Sequence, residues 1–579
     1  MMIIKLFMRF SFSLLLAPII TVSAVADTPI IHQQSAHSIY FGGDILTMAD
    51  DQPEYAESLV VTDGKIVFVG DKEPAMQYAD SNTDLVDLTG HTLLPGFIDP
   101  HSHVYGVGLQ AMVANLLPPP DGTAKTVKNV IQLLTNAQSD PKYKPFIDNT
   151  GIIMGFGYDD AELDRYPLGT DLDQVSTEKP VIIIHTSGHL SVLNSAAMSL
   201  FGINADSKDP QGGVIRRKTG SMEPNGVLEE NAHFAVLFAV MGRFDDQLQD
   251  RMLEAGQQLY AQYGYTTVQE GRASQEAYTS LVRAAEDDRL LVDVVAYIDM
   301  VSSSEMMASP YLSKDYRNRF RVGGVKLNFD GSPQGKTAWL TEPYFKPPSG
   351  QPESYSGYPT FSDEQANHYI AEAFGKNWQV LTHANGDAAI EQFINAVEAG
   401  TAKQGRQDRR PVLIHGQTIR QDQIDRLKDL GIFPSLYPMH TFYWGDWHAD
   451  SVLGQPRANL ISPTGDVLKA GLMFSSHHDA PVALPSSFRV LDATVNRTTR
   501  TKKVLGKDQR VSPYTALRAM TVWPAYQYFE EGSKGSLEIG KQADLVILDA
   551  NPLKIPRKKL IDLSVITTVS RGKTIYQKD

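Results

Sequence analysis

The amino-acid sequence predicts an α/β fold: a TIM-type (β/α)8 barrel inserted in a small β-sandwich that both chain ends build. Three observations lead to this prediction. Short apolar segments alternate with helix-like segments through the middle of the chain, as they do in parallel α/β folds. Eight of the apolar segments are strand candidates, and a TIM-type barrel has eight strands. Strand-like segments separated by turn signals occur at both ends of the chain.

Length and composition narrow the classes of protein that need to be considered. The chain has 579 residues, more than one hydrophobic core usually serves, so two or three domains are expected. A hydrophobic content of 42% and a charged content of 21% are typical of a globular protein. The net charge of −14 argues against a nucleic-acid partner. Because the chain has no cysteine, any metal ion must be held mainly by histidine and carboxylate groups.

The first 26 residues predict a secretory signal peptide. Lys5 and Arg9 precede an apolar block at 10–22, and Ala24-Val25-Ala26 fits a signal peptidase site. The block is short for a stable membrane span. We therefore expect cleavage after Ala26, export to the periplasm or the medium, and no stable membrane span after cleavage. An uncleaved anchor is the alternative.

Residues 27–91 and 523–579 are predicted to be the two parts of the β-sandwich. The strand-like segments are 38–47, 58–62, 65–69, 544–548, 566–569 and 573–576. Asp63-Gly64 is a hairpin signal between two of them. The two chain ends are expected to share one sheet, with the central domain inserted between them.

The barrel is predicted to begin at 92–104, which holds the first strand, and to continue through 253–522. The eight strand candidates are 92–98, 266–269, 292–298, 322–327, 379–381, 411–414, 432–436 and 472–475. Residues 105–252 have strand-like pieces of their own, so they predict an inserted subdomain that covers the mouth of the barrel. An open doubly wound sheet remains the alternative to a barrel.

Polar side chains are concentrated where the predicted barrel strands end. They are His101, His103, Lys326, His383, His415 and Asp479. Strands of parallel sheets are otherwise apolar, and TIM-type barrels carry their catalytic groups at the carboxyl ends of the strands. Each residue alone has an ordinary structural interpretation, such as a hydrogen-bonded histidine or a snorkelling lysine. Their coincidence at one level of the barrel favours a metal site.

The chemistry of these residues suits a centre with two metal ions. A lysine in an apolar strand has a lowered pKa, and its neutral amine can add carbon dioxide to form a carbamate that bridges two ions. We expect His101, His103, Asp479 and the Lys326 carbamate to hold one ion. The carbamate, His383 and His415 would hold the other ion.

Two zinc ions per chain are the first choice for the metals of this centre, and the same ligands could also bind manganese or iron. A hydroxide bound by the metals would be the nucleophile, and Asp479 would act first as general base and then as general acid. Asp479 and Lys326 are therefore the predicted catalytic residues.

The motifs around these residues resemble those of the amidohydrolase superfamily. They include Leu94-Pro-Gly-Phe-Ile-Asp-Pro-His101-Ser-His103, Thr382-His383-Ala-Asn-Gly-Asp387 and His478-Asp479-Ala-Pro481. The resemblance is greatest to the subgroup that contains N-substituted formamide deformylase and exoenzyme regulatory proteins. It implies a metal-dependent hydrolase barrel inserted in a β-sandwich, which usually acts on carbon–nitrogen bonds. It also implies a carbamylated lysine, a trait that not every branch of the family keeps.

The predicted function is hydrolysis of an amide-like carbon–nitrogen bond in a small molecule through a metal-bound hydroxide, with an N-substituted formamide as one option. An esterase, lactonase or deaminase with the same metal site is an alternative. A binding or regulatory protein on the same fold is another. A homodimer is the candidate for the assembly of the protein.

Residues in the insert and in the loops after the fourth and seventh strands are candidates for substrate binding, because such loops determine specificity in barrels. The predicted substrate-binding residues are His189, Asn194, Asp330, Trp339, Tyr437 and Trp444. Further candidates are Lys336, His440, Tyr443 and Trp447. The aromatic members have an alternative role, which is to pack the insert onto the barrel.

Overall fold

The fold is taken from a computed structural model of the full chain, which describes residues 37–160, 162–188, 190–210, 213–348 and 350–578. The predicted signal peptide and His189 lie outside the described residues.

Eight parallel strands form the central sheet. They are β1 (Phe97–Ile98), β2 (Tyr265–Ala273), β3 (Asp293–Asp299), β4 (Phe320–Asn328), β5 (Gln379–Ala384), β6 (Val412–His415), β7 (Phe433–Leu436) and β8 (Ser475–Ser476). Each strand pairs in parallel with the next one in the chain. The segments after β1 and β8 also meet, since the backbone N–H of His103 donates to the carbonyl of Ala480 at 2.8 Å. The predicted TIM-like barrel is confirmed.

Helices follow most of the barrel strands. The helix Asp246–Gln262 lies directly before β2. The helices after the later strands are Gln275–Glu286, Asp363–Gly375, Asp387–Gln404, Gln421–Leu430, Thr464–Lys469 and Ser487–Asn496. Local signals set their ends: Ser362 and Gln365 form a capping box, and Gly431 ends a helix in the left-handed conformation at φ 68°. Between β3 and β4 the described chain forms only a 3-10 helix, Ser304–Ala308.

A second eight-stranded sheet contains strands from both chain ends. They are Ser38–Leu46, Tyr55–Thr62, Lys65–Gly70, Asp84–Asp87, Thr92–Pro95, Leu545–Leu548, Val565–Ser570 and Lys573–Gln577. The predicted first barrel strand, 92–98, is therefore divided. Thr92–Pro95 pairs with strands of this end sheet, and only Phe97–Ile98 belongs to the barrel. All of these residues are buried, so the apolar pattern runs unbroken across the two sheets and does not show the boundary.

The segment between β1 and β2 contains a third, six-stranded sheet. Its strands are Ala114–Asn115, Ile153–Tyr158, Val181–His185, Leu190–Leu193, Gly213–Arg217 and Pro224–Glu230. Its helices include Val104–Ala111, Val127–Ala137, Lys144–Thr150, Ser195–Leu200 and Asn231–Met241. Two clusters of buried apolar residues lie around this sheet, separate from the main cluster that surrounds the barrel strands.

None of the helices in the part of the chain that the structure describes has both the length and the apolar composition needed to cross a membrane.

Candidate metal centre

The six predicted metal ligands line a single cavity of about 190 Å³ at the carboxyl ends of the barrel strands. The other described residues in its wall are Ser187, Arg272, Asn328, Ser332, Gln334, Asn385, Tyr437, His440 and Val482. The folded chain thus brings together residues that are almost 380 positions apart in sequence, from His101 to Asp479.

Asp479 contacts both histidines of the first motif. Its Oδ1 lies 3.4 Å from Nε2 of His101 and 3.6 Å from Nε2 of His103. The amine nitrogen Nζ of Lys326 lies 3.1 Å from the same Nε2 atom of His101. Two imidazole nitrogens, a carboxylate and an amine therefore converge on one side of the cavity.

The second pair of histidines lies beside this group. Nε2 of His415 is 3.1 Å from Nδ1 of His383 and 3.8 Å from Oδ2 of Asp479. The ligand atoms of His101, His415 and Asp479 all lie within 4.8 Å of one another. Asp479 thus has one oxygen facing each pair of histidines.

The outer nitrogen of three rings is occupied by a protein acceptor. Nδ1 of His101 lies 2.6 Å from Oε1 of Gln269, and Nδ1 of His103 lies 3.5 Å from a carboxylate oxygen of Glu270. Nε2 of His383 lies 3.2 Å from the carbonyl oxygen of Gly331. Metal-ligating histidines usually donate their second N–H in this way, which orients the ring and leaves the inner nitrogen for the metal. These residues therefore fit a metal centre.

Burial controls the charges in the cavity. Desolvation, followed by the neighbouring Lys326 and histidines, lowers the pKa of His101 well below its usual value, and burial lowers that of His415 in the same way. Burial also lowers the pKa of Lys326 to about 7. For His103 burial opposes the charge, but hydrogen bonds to Asp479 and Glu270 raise its pKa to about 9. His101 and His415 are thus in the neutral form that binds metals.

Two of the predicted ligands have a left-handed backbone. The φ angle is 73° at His415 and 53° at Asp479. A residue other than glycine held in this region costs on the order of 1–3 kcal/mol, and such residues cluster at functional sites. The surrounding fold therefore holds both ligands in position at a cost in stability.

The end of β2 supports the site, although none of its residues is among the predicted site residues. Besides Gln269 and Glu270, this strand contains Gly271, where an added Cβ would lie 2.6 Å from Cε1 of His101, and Arg272, which lines the cavity. The sequence contains a signal for this, because the polar residues Gln269, Glu270 and Arg272 lie at and directly after the end of the strand candidate 266–269. His477 was also missed as a site residue. Its ring is 5.3 Å from that of His101 and is stacked on that of Tyr437 at 4.9 Å.

Of the predicted substrate-binding residues that the structure describes, Tyr437 lines the cavity, and the further candidate His440 lies there with it. Trp444 does not line the cavity, because it packs behind both of them, with ring centroids 6.4 Å from Tyr437 and 4.9 Å from His440.

Asn194, Asp330 and Trp339 are also outside the cavity wall. The Oδ1 atom of Asn194 caps the helix Ser195–Leu200 by accepting from the N–H of Ala197 at 2.8 Å. Asp330 is buried and accepts backbone N–H groups that include that of Trp339 at 3.0 Å. Both polar side chains are therefore engaged in holding loops together. His189 lies outside the described residues.

Comparison with known proteins identifies the family. Residues 84–576 match the amidohydrolase family. The chain belongs to this family. A protein of Bacillus subtilis, YtcJ, which is named as an amidohydrolase, is 27% identical over 93% of this chain and 99% of its own length. The N-substituted formamide deformylase of Arthrobacter pascens is 25% identical over 91% of this chain and 96% of its own length.

A solved structure supports the fold of this amidohydrolase. The crystal structure of a metal-dependent hydrolase from Pyrococcus horikoshii superposes with a TM-score of 0.72, covers 90% of this chain and 99% of that chain, and is 24% identical in sequence. The amidohydrolase is a metal-dependent hydrolase that acts on carbon–nitrogen bonds of small molecules, as predicted.

Proposed function

We propose that this amidohydrolase cleaves the amide bond of a small substrate, and that N-substituted formamides are the first compounds to test. The convergence of six ligand-type side chains on one cavity is the observation that carries the proposal. The deformylase among its relatives suggests the substrate class. The second candidate is ester or lactone hydrolysis or deamination, because the same centre would serve those reactions.

The proposed centre holds two zinc ions. His101, His103 and Asp479 would hold one ion and His383 and His415 the other, with Lys326 as a carbamate between them. The lowered pKa of Lys326 supports the carbamate, since the neutral amine is the form that adds carbon dioxide. Metal ions at these positions would act as Lewis acids and lower the pKa of a water molecule toward about 7.

Asp479 is proposed to transfer the proton. Its two oxygens face the two pairs of histidines, so the carboxylate lies within reach of a water molecule between them. It would accept a proton as that water attacks the carbonyl carbon, and it would return the proton to the nitrogen as the carbon–nitrogen bond breaks. The products are then a carboxylic acid and an amine.

Tyr437 and His440 are the proposed substrate contacts on the aromatic side of the cavity. Trp444 would hold both rings in place from behind. Asn194, Asp330 and Trp339 would contribute by ordering the loops around the opening. His189 is retained as a proposed substrate contact.

We propose that strands of both chain ends form a β-sandwich and that residues 105–252 are a subdomain over the barrel mouth. We also propose that residues 1–26 are a signal peptide, that the protein is exported, and that it is a homodimer. Cell fractionation tests export, and recovery of the protein only from the cytoplasm would contradict it. Amino-terminal sequencing of the exported protein tests cleavage after Ala26, and a chain that still begins at Met1 would contradict that cleavage.

Metal analysis combined with a substrate panel tests the main proposal. We expect close to two zinc ions per chain, and hydrolysis of N-benzylformamide that a chelator abolishes and zinc restores. Benzyl formate and an aminopurine are the ester and deaminase comparisons. Amide hydrolysis that persists without metal, or less than one metal ion per chain, would contradict the proposal.

Two variants test the proposed roles of the residues. Asp479→Asn is expected to lower kcat/KM by about 10²- to 10⁴-fold, the usual contribution of general acid–base catalysis. The exposed Asp288→Asn is the matched control. Protein labelled with 13C-bicarbonate is expected to show a carbamate signal that disappears in Lys326→Arg, and no signal in the unsubstituted protein would exclude the carbamate.

A further inference from the structure

Arg272 is a charged residue in the cavity wall that the proposed reaction does not use. It lies near the end of β2, directly after Gly271, whose backbone packs against the ring of His101. Its side chain lines the same cavity as the proposed metal ligands and is 51% exposed. A permanent positive charge is therefore present in the wall of this cavity.

The guanidinium group is held by a carboxylate from the next strand. Nε of Arg272 donates to Oδ2 of Asp299, the last residue of β3, at 2.5 Å. The other carboxylate oxygen of Asp299 accepts the backbone N–H groups of Val301 at 3.0 Å and Ser302 at 2.9 Å. Asp299 is thus anchored on two sides, and it orients the guanidinium group of Arg272.

This arrangement leaves the two terminal nitrogens of the Arg272 guanidinium group available to bind a ligand. Across the described chain, the hydrogen bonds of Arg272 involve Nε, while the two terminal nitrogens have no protein acceptor. A guanidinium group presents such N–H donors in a fixed fork that matches the two oxygens of a carboxylate. The pair with Asp299 uses only Nε, so it does not account for the two terminal nitrogens.

We propose that Arg272 binds a carboxylate group of the substrate, so that the substrate is an amide that also carries a carboxylate, as in an N-acyl amino acid. This inference rests on the proposed amide hydrolysis and specifies the substrate class. Arg272 is the specificity-determining residue, and Asp299 is a positioning residue that acts through it.

Kinetics with matched substrates test the inference in the zinc-loaded full chain. The probes are N-formylphenylalanine and N-formylphenylalaninamide, which differ in the carboxylate. We expect the carboxylate to be preferred at least tenfold in kcat/KM. Arg272→Met is expected to reduce kcat/KM for the carboxylate by about 10- to 100-fold more than for the carboxamide, mainly through KM. Arg272→Lys, which keeps the charge but loses the planar fork, should show an intermediate loss.

Arg243→Met, at an exposed position, is the matched control, and it should keep the preference. Thermal unfolding of each variant checks that the fold is retained. If the carboxamide is hydrolysed as fast as the carboxylate, or if Arg272→Met keeps the preference, the inference is wrong and amide hydrolysis still stands.

A binding measurement covers the case in which neither compound is hydrolysed. Calorimetric titration compares phenylacetate with phenylacetamide. If phenylacetate binds at least tenfold more tightly to the unsubstituted protein than to Arg272→Met, the carboxylate site is supported although the proposed hydrolysis fails. Equal binding to both proteins overturns the site.

Discussion

His101 can serve a metal centre only if the correct ring nitrogen faces the cavity. The side-chain oxygen of Gln269 lies 2.6 Å from Nδ1 of this histidine, and Gln269 is itself fixed by the hydroxyl of Tyr528 at 2.7 Å and the carbonyl of Pro100 at 2.9 Å. The amide group therefore has one orientation, in which its oxygen accepts from the imidazole. The tautomer of His101 that results has a free Nε2 directed at Lys326 and Asp479.

Replacing this partner should weaken the metal site. Gln269→Met removes the acceptor for the imidazole N–H, and loss of such an outer partner typically costs about 10- to 100-fold in metal affinity. Zinc competition with a chromogenic chelator measures the affinity. Gln258→Met, on the exposed side of the helix Asp246–Gln262, is the control and should retain it. An unchanged affinity in Gln269→Met would show that this hydrogen bond does not tune the centre.

Strand β2 supports the centre as a unit. Gln269 and Glu270 hold the outer nitrogens of His101 and His103, Gly271 makes room for the His101 ring, and Arg272 enters the cavity. These residues are consecutive, so both faces of the strand contribute. The backbone also takes part, since the N–H of Gly271 donates to the carbonyl of Ser102 at 2.7 Å.

The close approach at Gly271 makes a steric prediction. In Gly271→Ala the added methyl group would lie 2.6 Å from Cε1 of His101 and 2.8 Å from the side-chain oxygen of Gln269. Overpacking of this kind costs about 1–3 kcal/mol in folding free energy, and the histidine must move to accept it. We expect both a lower unfolding midpoint and fewer zinc ions bound per chain.

Gly532→Ala is the control for this substitution, because an added Cβ there has no neighbour within 4 Å. Full metal content in Gly271→Ala would mean that His101 can shift without losing its ligand geometry.

Across the whole molecule, a buried charge network at the opposite end of the barrel connects the barrel to the chain after it. Lys534 contacts Asp293 at 2.7 Å and Glu530 at 3.1 Å, and Glu530 contacts Arg321 at 2.5 Å. Asp293 begins β3, and it also pairs with Arg571 near the carboxyl terminus at 2.9 Å. Opposite charges and hydrogen bonds thus compensate for the desolvation of each group.

Removing one charge from this network should destabilise the protein. Glu530→Gln leaves Arg321 and Lys534 buried with less compensation, and breaking a buried pair in this way costs about 3–5 kcal/mol. Urea unfolding monitored by tryptophan fluorescence measures the loss. The control is Asp148→Asn, which removes the exposed pair with Lys144 and should not change the unfolding midpoint measurably. An equal effect of the two substitutions would contradict this account.

The same network predicts loss of stability in acid. Burial opposes ionisation of Glu530 and Asp293, but the charges of Lys534 and the neighbouring arginines lower both pKa values below their usual range. Their contribution to stability is therefore complete above about pH 4.5, the ordinary glutamate value, and decreases as the pH falls toward the lowered pKa values. Urea midpoints between pH 7 and pH 3 should fall less steeply for Glu530→Gln than for the unsubstituted protein. Parallel curves would argue against this linkage.

The sequence alone predicted the barrel and the six ligand-type residues that line its cavity. Eight apolar segments, five of which have predicted metal ligands at or just after their end, are a local pattern. The rule that catalytic groups lie at the carboxyl ends of barrel strands turns these strand ends into a predicted site. His101, Lys326, His415 and Asp479 were found in this way, and the structure places all of them around one cavity.

Only the tertiary structure decided which of the surrounding residues contact the site and which hold loops together. Asn194 and Asp330 are predicted substrate contacts, but the backbone N–H groups of Val181 and Asn385, which lie in other segments, donate to their side-chain oxygens. Gln269 and Arg272 became visible as site residues because β2 lies beside β1 and β3. The physical reason is that a hydrogen bond or a close contact depends on distances between segments remote in sequence, and a local pattern of polar and apolar residues does not contain those distances.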